Sequence, residues 1–202
     1  MATSIIIKLI EIFQKLPGIG PRQARRFVYA LVDENPKIIE EFSDVLSRLS
    51  KEVSHCSVCF RIFEGKSEVC NICADKSRDN SKLLILEKDA DLENLEKNKI
   101  FDGKYYVLGG LLSPLRPEKQ DKLRFRELFK KVESSKEINE IIIGLSSTTE
   151  GDMTVRYIEK IIEPILAKRK LKISRLGRGL STGTELEYSD RDTLKHAFEN
   201  RK

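Results

Sequence analysis

All four cysteines of the 202-residue chain fall within eighteen residues, as Cys56-Ser-Val-Cys59 and, after ten intervening residues, Cys70-Asn-Ile-Cys73. A Cys-x-x-Cys turn lets two thiolates face one ion, and a second such turn completes a closed four-sulfur shell with no position for a catalytic water. The spacing predicts one structural Zn²⁺ per chain on Cys56, Cys59, Cys70 and Cys73. Two disulfides are the alternative use of the same residues, but disulfides belong to oxidising compartments. Lys8, Glu11 and Lys15 interrupt the apolar stretch near the start, unlike a signal peptide, so the expected setting is reducing and cytoplasmic. His55 adjoins the set, yet four sulfurs already fill the shell.

A second group is acidic. Glu87 follows the apolar run Leu83–Leu86, with Asp89 and Asp91 behind it, and Glu150-Gly151-Asp152 follows the run Ile141–Gly144. If both runs are strands of a parallel sheet, their ends open on one crevice. Carboxylates there could hold Mg²⁺ or, at the start of a helix, simply favour the helix dipole.

A third group is basic and glycine-rich. Leu16-Pro17-Gly18-Ile19-Gly20-Pro21 separates two apolar-periodic segments and is followed by Arg22, Arg25 and Arg26. It resembles the hairpin of a helix-hairpin-helix motif, a sequence-independent DNA-binding unit. Gly18 and Gly20 allow the backbone a close approach, while the following helix presents unpaired N–H groups to a phosphate. Arginines at a helix N-terminus oppose its dipole, a conflict that a bound phosphate relieves. Lys15 to Arg26 holds four basic residues and no acidic one, and Lys168 to Arg178 six and none; both patches point to polyanion contact.

The elements that must position these groups follow from periodicity. Ser4 to Gln14, a segment starting at Pro21, and Ile38 to Val53 carry apolar residues at helical spacing, the last with Ile39, Phe42, Val45, Leu46 and Leu49 on one side. Beyond Cys73, the runs Leu83–Leu86, Tyr105–Leu108, Ile141–Gly144 and Leu171–Ile173 read as largely buried strands. Lys119–Lys131 and Met153–Lys168 read as helices, with Pro164 bending or breaking the second near its end. Asp190 is placed to cap a last helix reaching about Asn200. The fold class is therefore α+β in several modules: a helical region over 1–54, a zinc knuckle over 55–76, an α/β domain with a mostly parallel sheet over 80–174, and a C-terminal segment over 175–202. The knuckle is expected to order a stretch too small for a core of its own. Charged residues make up 34% of the chain, the net charge is +5, and no run approaches the roughly 20 apolar residues that span a bilayer.

The α/β region resembles a Toprim domain, in which a Glu after the first strand and an Asp-x-Asp after a later one hold Mg²⁺. Here Glu150 replaces the first Asp, and its longer side chain departs from the geometry a small octahedral ion requires. Mg²⁺ is accordingly not counted as a cofactor. The hairpin, the knuckle, the Toprim-like region and the ending Arg175 to Asp190 together resemble the RecR family of bacterial recombination mediators over nearly the whole chain. Tyr105-Tyr-Val-Leu-Gly-Gly110, Leu112-Ser-Pro114, Thr149-Glu-Gly-Asp-Met-Thr154 and Asp192-Thr-Leu194 carry that resemblance. Tyr106 and Ser181 depart from it, the family usually having His and Pro there.

The resemblance implies a non-catalytic DNA-repair factor. Such proteins form a ring, usually of four subunits, that can encircle DNA, and act with RecO and RecF to load RecA on single-stranded DNA at gaps. It implies DNA contact at Arg22 and Arg26, beside Arg25, Gly18 and Gly20, and RecO contact at Glu87, Asp91, Glu150 and Asp152. It also implies a cytoplasmic, nucleoid-associated protein that binds DNA without regard to sequence. A Toprim-type Mg²⁺-dependent nuclease or primase-like enzyme is the rival reading, opposed by Glu150 and by the absence of a recognisable nucleophile motif. A zinc-stabilised interaction module that never touches DNA is a third, opposed by the Lys15–Arg26 cluster. Gly177-Arg-Gly-Leu-Ser-Thr-Gly-Thr184 lacks the Lys of a phosphate-binding loop and reads as a sharp turn; the resemblance implies that this C-terminal segment, 175–202, forms a subunit contact.

Overall fold

The structure, a computed structural model, describes residues 4–115 and 117–201, without the side chains of 117–119. The ends of the first and last expected regions thus lie outside the described residues. The chain divides into two compact units, Met1–Val53 and Ser54–Lys202.

The first unit is helical. Helix α1 (Ile5–Gln14) and helix α2 (Pro21–Asp33) pack on each other, with the rings of Phe13 and Phe27 5.7 Å apart. Helix α3 (Pro36–Glu52) opens on Asn35, whose side chain accepts from the Lys37 N–H, with Pro36 where a missing N–H costs nothing. Only Ala24 and Val28 are buried among the described residues of the three helices.

After α3 come a two-stranded sheet of β1 (Val53–His55), whose first residue closes the first unit, and β2 (Ile62–Glu64), then the one-turn helix α4 (Asn71–Ala74). Four further strands follow: β3 (Asp79–Leu86), β4 (Gly103–Val107), β5 (Glu140–Gly144) and β6 (Lys172–Arg175). They pair all-parallel in the order β4-β3-β5-β6. Helix α5 (Asp89–Lys97) links β3 to β4, α6 (Phe125–Ser134) leads into β5, and α7 (Thr149–Leu166) leads into β6. Helix α8 (Arg191–Glu199) closes the chain, its first N–H groups taken by the Asp190 carboxylate as the sequence predicts.

Alternation along β3 divides the core, because successive side chains point to opposite faces. Leu83 and Ile85 join Tyr106, Leu128, Val132, Ile141, Ile143, Ile158 and Ile162 on the face covered by α6 and α7. Leu84 and Leu86 join Leu92, Tyr105 and Val107 on the other, where Cys56, Cys59 and Cys70 complete the core. The knuckle is thus one of the layers that cover the sheet. Each fully buried leucine or isoleucine contributes about 1.5–3 kcal/mol over an exposed one.

Three expectations need correction. The helix expected over Lys119–Lys131 is split into a 3₁₀ turn, Pro117–Lys122, and α6 from Phe125. The break arises because the Arg124 N–H donates to the Leu108 carbonyl at 3.1 Å and its guanidinium to that of Val107 at 3.1 Å, which ties the chain to the end of β4. Helix α7 begins at Thr149, not Met153, so Glu150 and Asp152 lie inside its first turn; Pro164 sits in its last turn. The fourth strand starts at Lys172 and is a half-exposed edge. Helix α5 and the β1–β2 pair were not anticipated.

Candidate metal centre and nucleic-acid interface

Cys56 and Cys59 stand on the turn between β1 and β2; Cys70 precedes α4 and Cys73 lies within it. The first turn is closed by the Phe60 N–H donating to the Cys56 carbonyl at 2.9 Å, with Phe60 held at φ +63°. Such a conformation is strained for a bulky residue and is held by its surroundings. The Phe60 ring packs edge-on against Tyr106 at 5.4 Å and carries the Arg124 guanidinium at 5.1 Å. The Cys59 carbonyl accepts from the Val107 N–H at 2.8 Å, so the knuckle is pinned to the end of β4.

The four Sγ atoms lie within 4.8 Å of one another, and Cys59 and Cys70 are 3.7 Å apart. Metal–sulfur bonds of about 2.3 Å in a tetrahedron set sulfurs roughly 3.8 Å apart, so the set fits a tetrahedral ion. Cys56, Cys59 and Cys70 are fully buried, and the Cys70 N–H reaches the Cys56 sulfur at 3.3 Å. Burial pushes the Cys56 thiol up, but the N–H groups of Cys70, Cys59 and Val58 outweigh it and bring it down to about 6. Cys59 moves the other way, raised by its bond with the Cys73 thiol and by burial. Four thiols this close compete for protons, and a divalent cation resolves the competition by displacing them. The four cysteines are positioned to bind a metal ion.

Lys104 and Lys131 border the centre and were missed by sequence reasoning, since single lysines on a strand and a helix carry no local signal. Lys104 Nζ donates to the carbonyls of Ile72 and Cys73, both at 3.1 Å, and Asp75 at 2.7 Å. Burial lowers the Lys131 ammonium below its usual range, opposed chiefly by Cys73, Cys59 and Cys56.

The hairpin between α1 and α2 uses its two glycines differently. Gly18 takes φ +81°, a conformation other residues adopt only with strain. Gly20 is extended and caps α2 with its carbonyl, which accepts the Ala24 N–H at 2.9 Å, while no side chain covers the first turn. Both face open space. Arg22, Arg25 and Arg26 are exposed and, among the described residues, have no carboxylate partner.

Four of the six residues of the second basic patch are engaged within the unit. Lys172 pairs with Glu140 at 2.8 Å, Arg175 with Glu159 at 2.9 Å, and Arg178 with Asp152 at 2.5 Å. Arg169 donates to the Val132 and Ser135 carbonyls, both at 2.8 Å, capping the end of α6. These four residues thus have internal partners, while the Lys172 side chain remains 70% exposed.

The acidic residues separate in the same way. Glu87 and Glu150 line one cleft of 530 Å³ beyond the ends of β3 and β5, together with Gly109, Gly110 and Lys122. Glu87 also accepts from the Ser146 hydroxyl. Asp91 accepts from the Lys88 N–H at 3.3 Å and is raised by burial, with Glu87 adding to the rise. Asp89 reaches the Ile62 N–H at 2.6 Å and ties α5 to the knuckle. Asp152 turns to Arg178, which holds it below the ordinary carboxylate range, with Arg175 3.8 Å away. Of these five acids, Asp89, Asp91 and Asp152 serve as internal tethers, while Glu87 faces the cleft with Glu150, which lies one residue before Gly151. Gly151 has no alternative, since a Cβ there would lie 1.8 Å from the Ser146 carbonyl oxygen. The Leu112 N–H donates to Thr154 at 2.9 Å, so the Gly109–Leu112 loop and the start of α7 meet over the cleft.

The chain matches three family models: a RecR helix-hairpin-helix model over residues 6–49, a Toprim domain over 81–177, and a RecR C-terminal model over 179–202. It is 37% identical over 196 residues to the recombination protein RecR of Ligilactobacillus salivarius, covering 97% of this chain and 96% of that one. With the same coverage it is 36% identical to the recombination protein RecR of Streptococcus mutans and 37% to that of Lactiplantibacillus plantarum.

Proposed function

The chain belongs to the RecR family of recombination proteins and is not an enzyme, and from that premise we propose that it is a DNA-binding mediator that loads RecA with the help of RecO and RecF. The observation that carries this reading is the hairpin: an uncapped helix N-terminus behind two exposed glycines, flanked by three arginines that have no carboxylate partner among the described residues. Phosphates are what that surface complements, so binding is indifferent to sequence and sensitive to salt.

Self-association is supported by apolar surface that a lone copy leaves exposed. Ile38, Ile39, Phe42, Val45, Leu46 and Leu49 run along α3, Val45 at 53% and Leu49 at 55% exposure. Phe13, Phe27, Leu31 and Phe42 line a hollow of 330 Å³ in the same unit. A unit with two buried residues among those described gains its core by meeting another copy, consistent with a ring that encircles DNA at gaps and junctions. In this reading the cysteines hold Zn²⁺, the cleft with Glu87 and Glu150 meets RecO, Asp91 and Asp152 brace that surface, and the protein works in the cytoplasm on the nucleoid. The region bounds at 54, 76 and 174 are part of the same proposal. No helix among the described residues is long and apolar enough to cross a membrane.

The test is binding to gapped DNA by the full chain and by Arg22→Ala/Arg26→Ala. The variant should bind more weakly on every sequence and lose about two phosphate contacts, flattening the slope of log affinity against log salt by roughly 1.8. An unchanged affinity would remove the hairpin from the DNA site, and Mg²⁺-dependent cleavage abolished by Glu87→Ala would replace the mediator with a nuclease.

A further inference from the structure

A cavity of 190 Å³ lies beside the knuckle, walled by Cys73, Lys104, Lys131 and Lys82. Three ammonium groups in one small space require compensating charge. Lys82 has it, in Asp79 at 3.0 Å and Asp102 at 3.4 Å. Lys104 spends its three protons on the carbonyls of Ile72, Cys73 and Asp75. Lys131 is half-buried in the last turn of α6, and among the described residues its ammonium has neither a hydrogen bond nor an ion pair. Glu137 also lines the cavity, but it is exposed and makes no ion pair with it.

The other negative charge within reach is on sulfur. A divalent ion among four thiolates leaves a net dianion inside an apolar layer, and groups outside the ligand shell must offset it. We propose that Lys131 is the charge-compensating residue of the metal centre, its ammonium set against the four-sulfur cluster, and that Lys104 positions the Cys70–Cys73 ligand pair by holding the carbonyls of that turn. The proposal rests on the reading of the cysteines as a metal site. It makes α6 of the Toprim-like unit and strand β4 part of the centre, and it assigns both lysines a role that neither the hairpin nor the acidic cleft requires.

The experiment compares full-length wild type, Lys131→Met and Lys131→Arg, each loaded with one equivalent of Zn²⁺. Zinc transfer to a chromogenic chelator and alkylation of the cysteines by iodoacetamide are read alongside the melting temperature. Lys131→Met should bind zinc about ten- to a hundredfold more weakly, and its cysteines should be alkylated faster, while Lys131→Arg stays near wild type. Should the methionine variant not fold, Lys131→Gln removes the charge while keeping polarity and should show the same loss. Lys104→Met should speed alkylation of Cys73 in particular. Wild-type zinc affinity and alkylation rate in Lys131→Met would overturn the charge assignment and leave the metal site standing. A wild-type protein that takes up no zinc, or a Cys73→Ser variant that binds it as tightly, would overturn the metal reading itself.

Discussion

Asp152 illustrates how residue type and residue role part company. Its place in Thr149-Glu-Gly-Asp-Met-Thr154 marks it as a metal or partner residue, yet its carboxylate is claimed by Arg178 and approached by Arg175. The bond tethers the chain after β6 to the first turn of α7. Because Arg178 lowers the folded value of this acid, the tether is fully present above the usual carboxylate value near 3.9 and is lost only as pH falls through the lower folded value. Asp152→Asn should therefore raise amide exchange across residues 175–190 at neutral pH, while the wild type keeps its protection from pH 7 to about pH 5. Equal protection in the two proteins would show that Arg175 and Glu159 alone hold the segment. The sequence exposed the acid but not its partner, because Arg178 comes 26 residues later and only the return of β6 beside β5 brings it near.

At the scale of elements, the glycines separate positions that need glycine from positions that merely have it. Gly151→Ala places a Cβ against the Ser146 carbonyl and should cost about 1–3 kcal/mol, as overpacking does. Gly18→Ala keeps its open space but must hold φ +81°, at a cost of about 1–2 kcal/mol. Gly20→Ala, with ordinary backbone and open space, should stay within about 0.5 kcal/mol. Urea unfolding of the three variants ranks them; a Gly20 loss equal to that of Gly151 would contradict the geometry described. The helices α1, α2 and α3 and the four parallel strands were legible because each has one apolar face or a short apolar run, the fourth strand with its bounds shifted toward Arg175. Helix α5 was not, since Asp89–Lys97 offers only Leu92 and Leu95 to the core. The break before α6 was not legible either, because it is made by hydrogen bonds from Arg124 to carbonyls about seventeen residues earlier in the chain. The cysteine spacing fixed the ligand set, but nothing local disclosed that the knuckle would cover one face of the sheet.

At the scale of the molecule, the two units carry opposite imbalances. Ser54–Lys202 closes a complete core around its sheet, with the cysteine centre built into one layer. Met1–Val53 leaves most of its apolar residues on the surface, on the same three helices that present the arginine hairpin. In the proposed reading DNA binding and assembly share this one short segment, and a second copy would turn it into a folded core. The most direct test is native mass spectrometry of the full chain, alone and with gapped DNA. The account predicts an oligomer, most simply four chains, that stays intact when it takes up one DNA molecule. A strict monomer at micromolar concentration, with or without DNA, would contradict it.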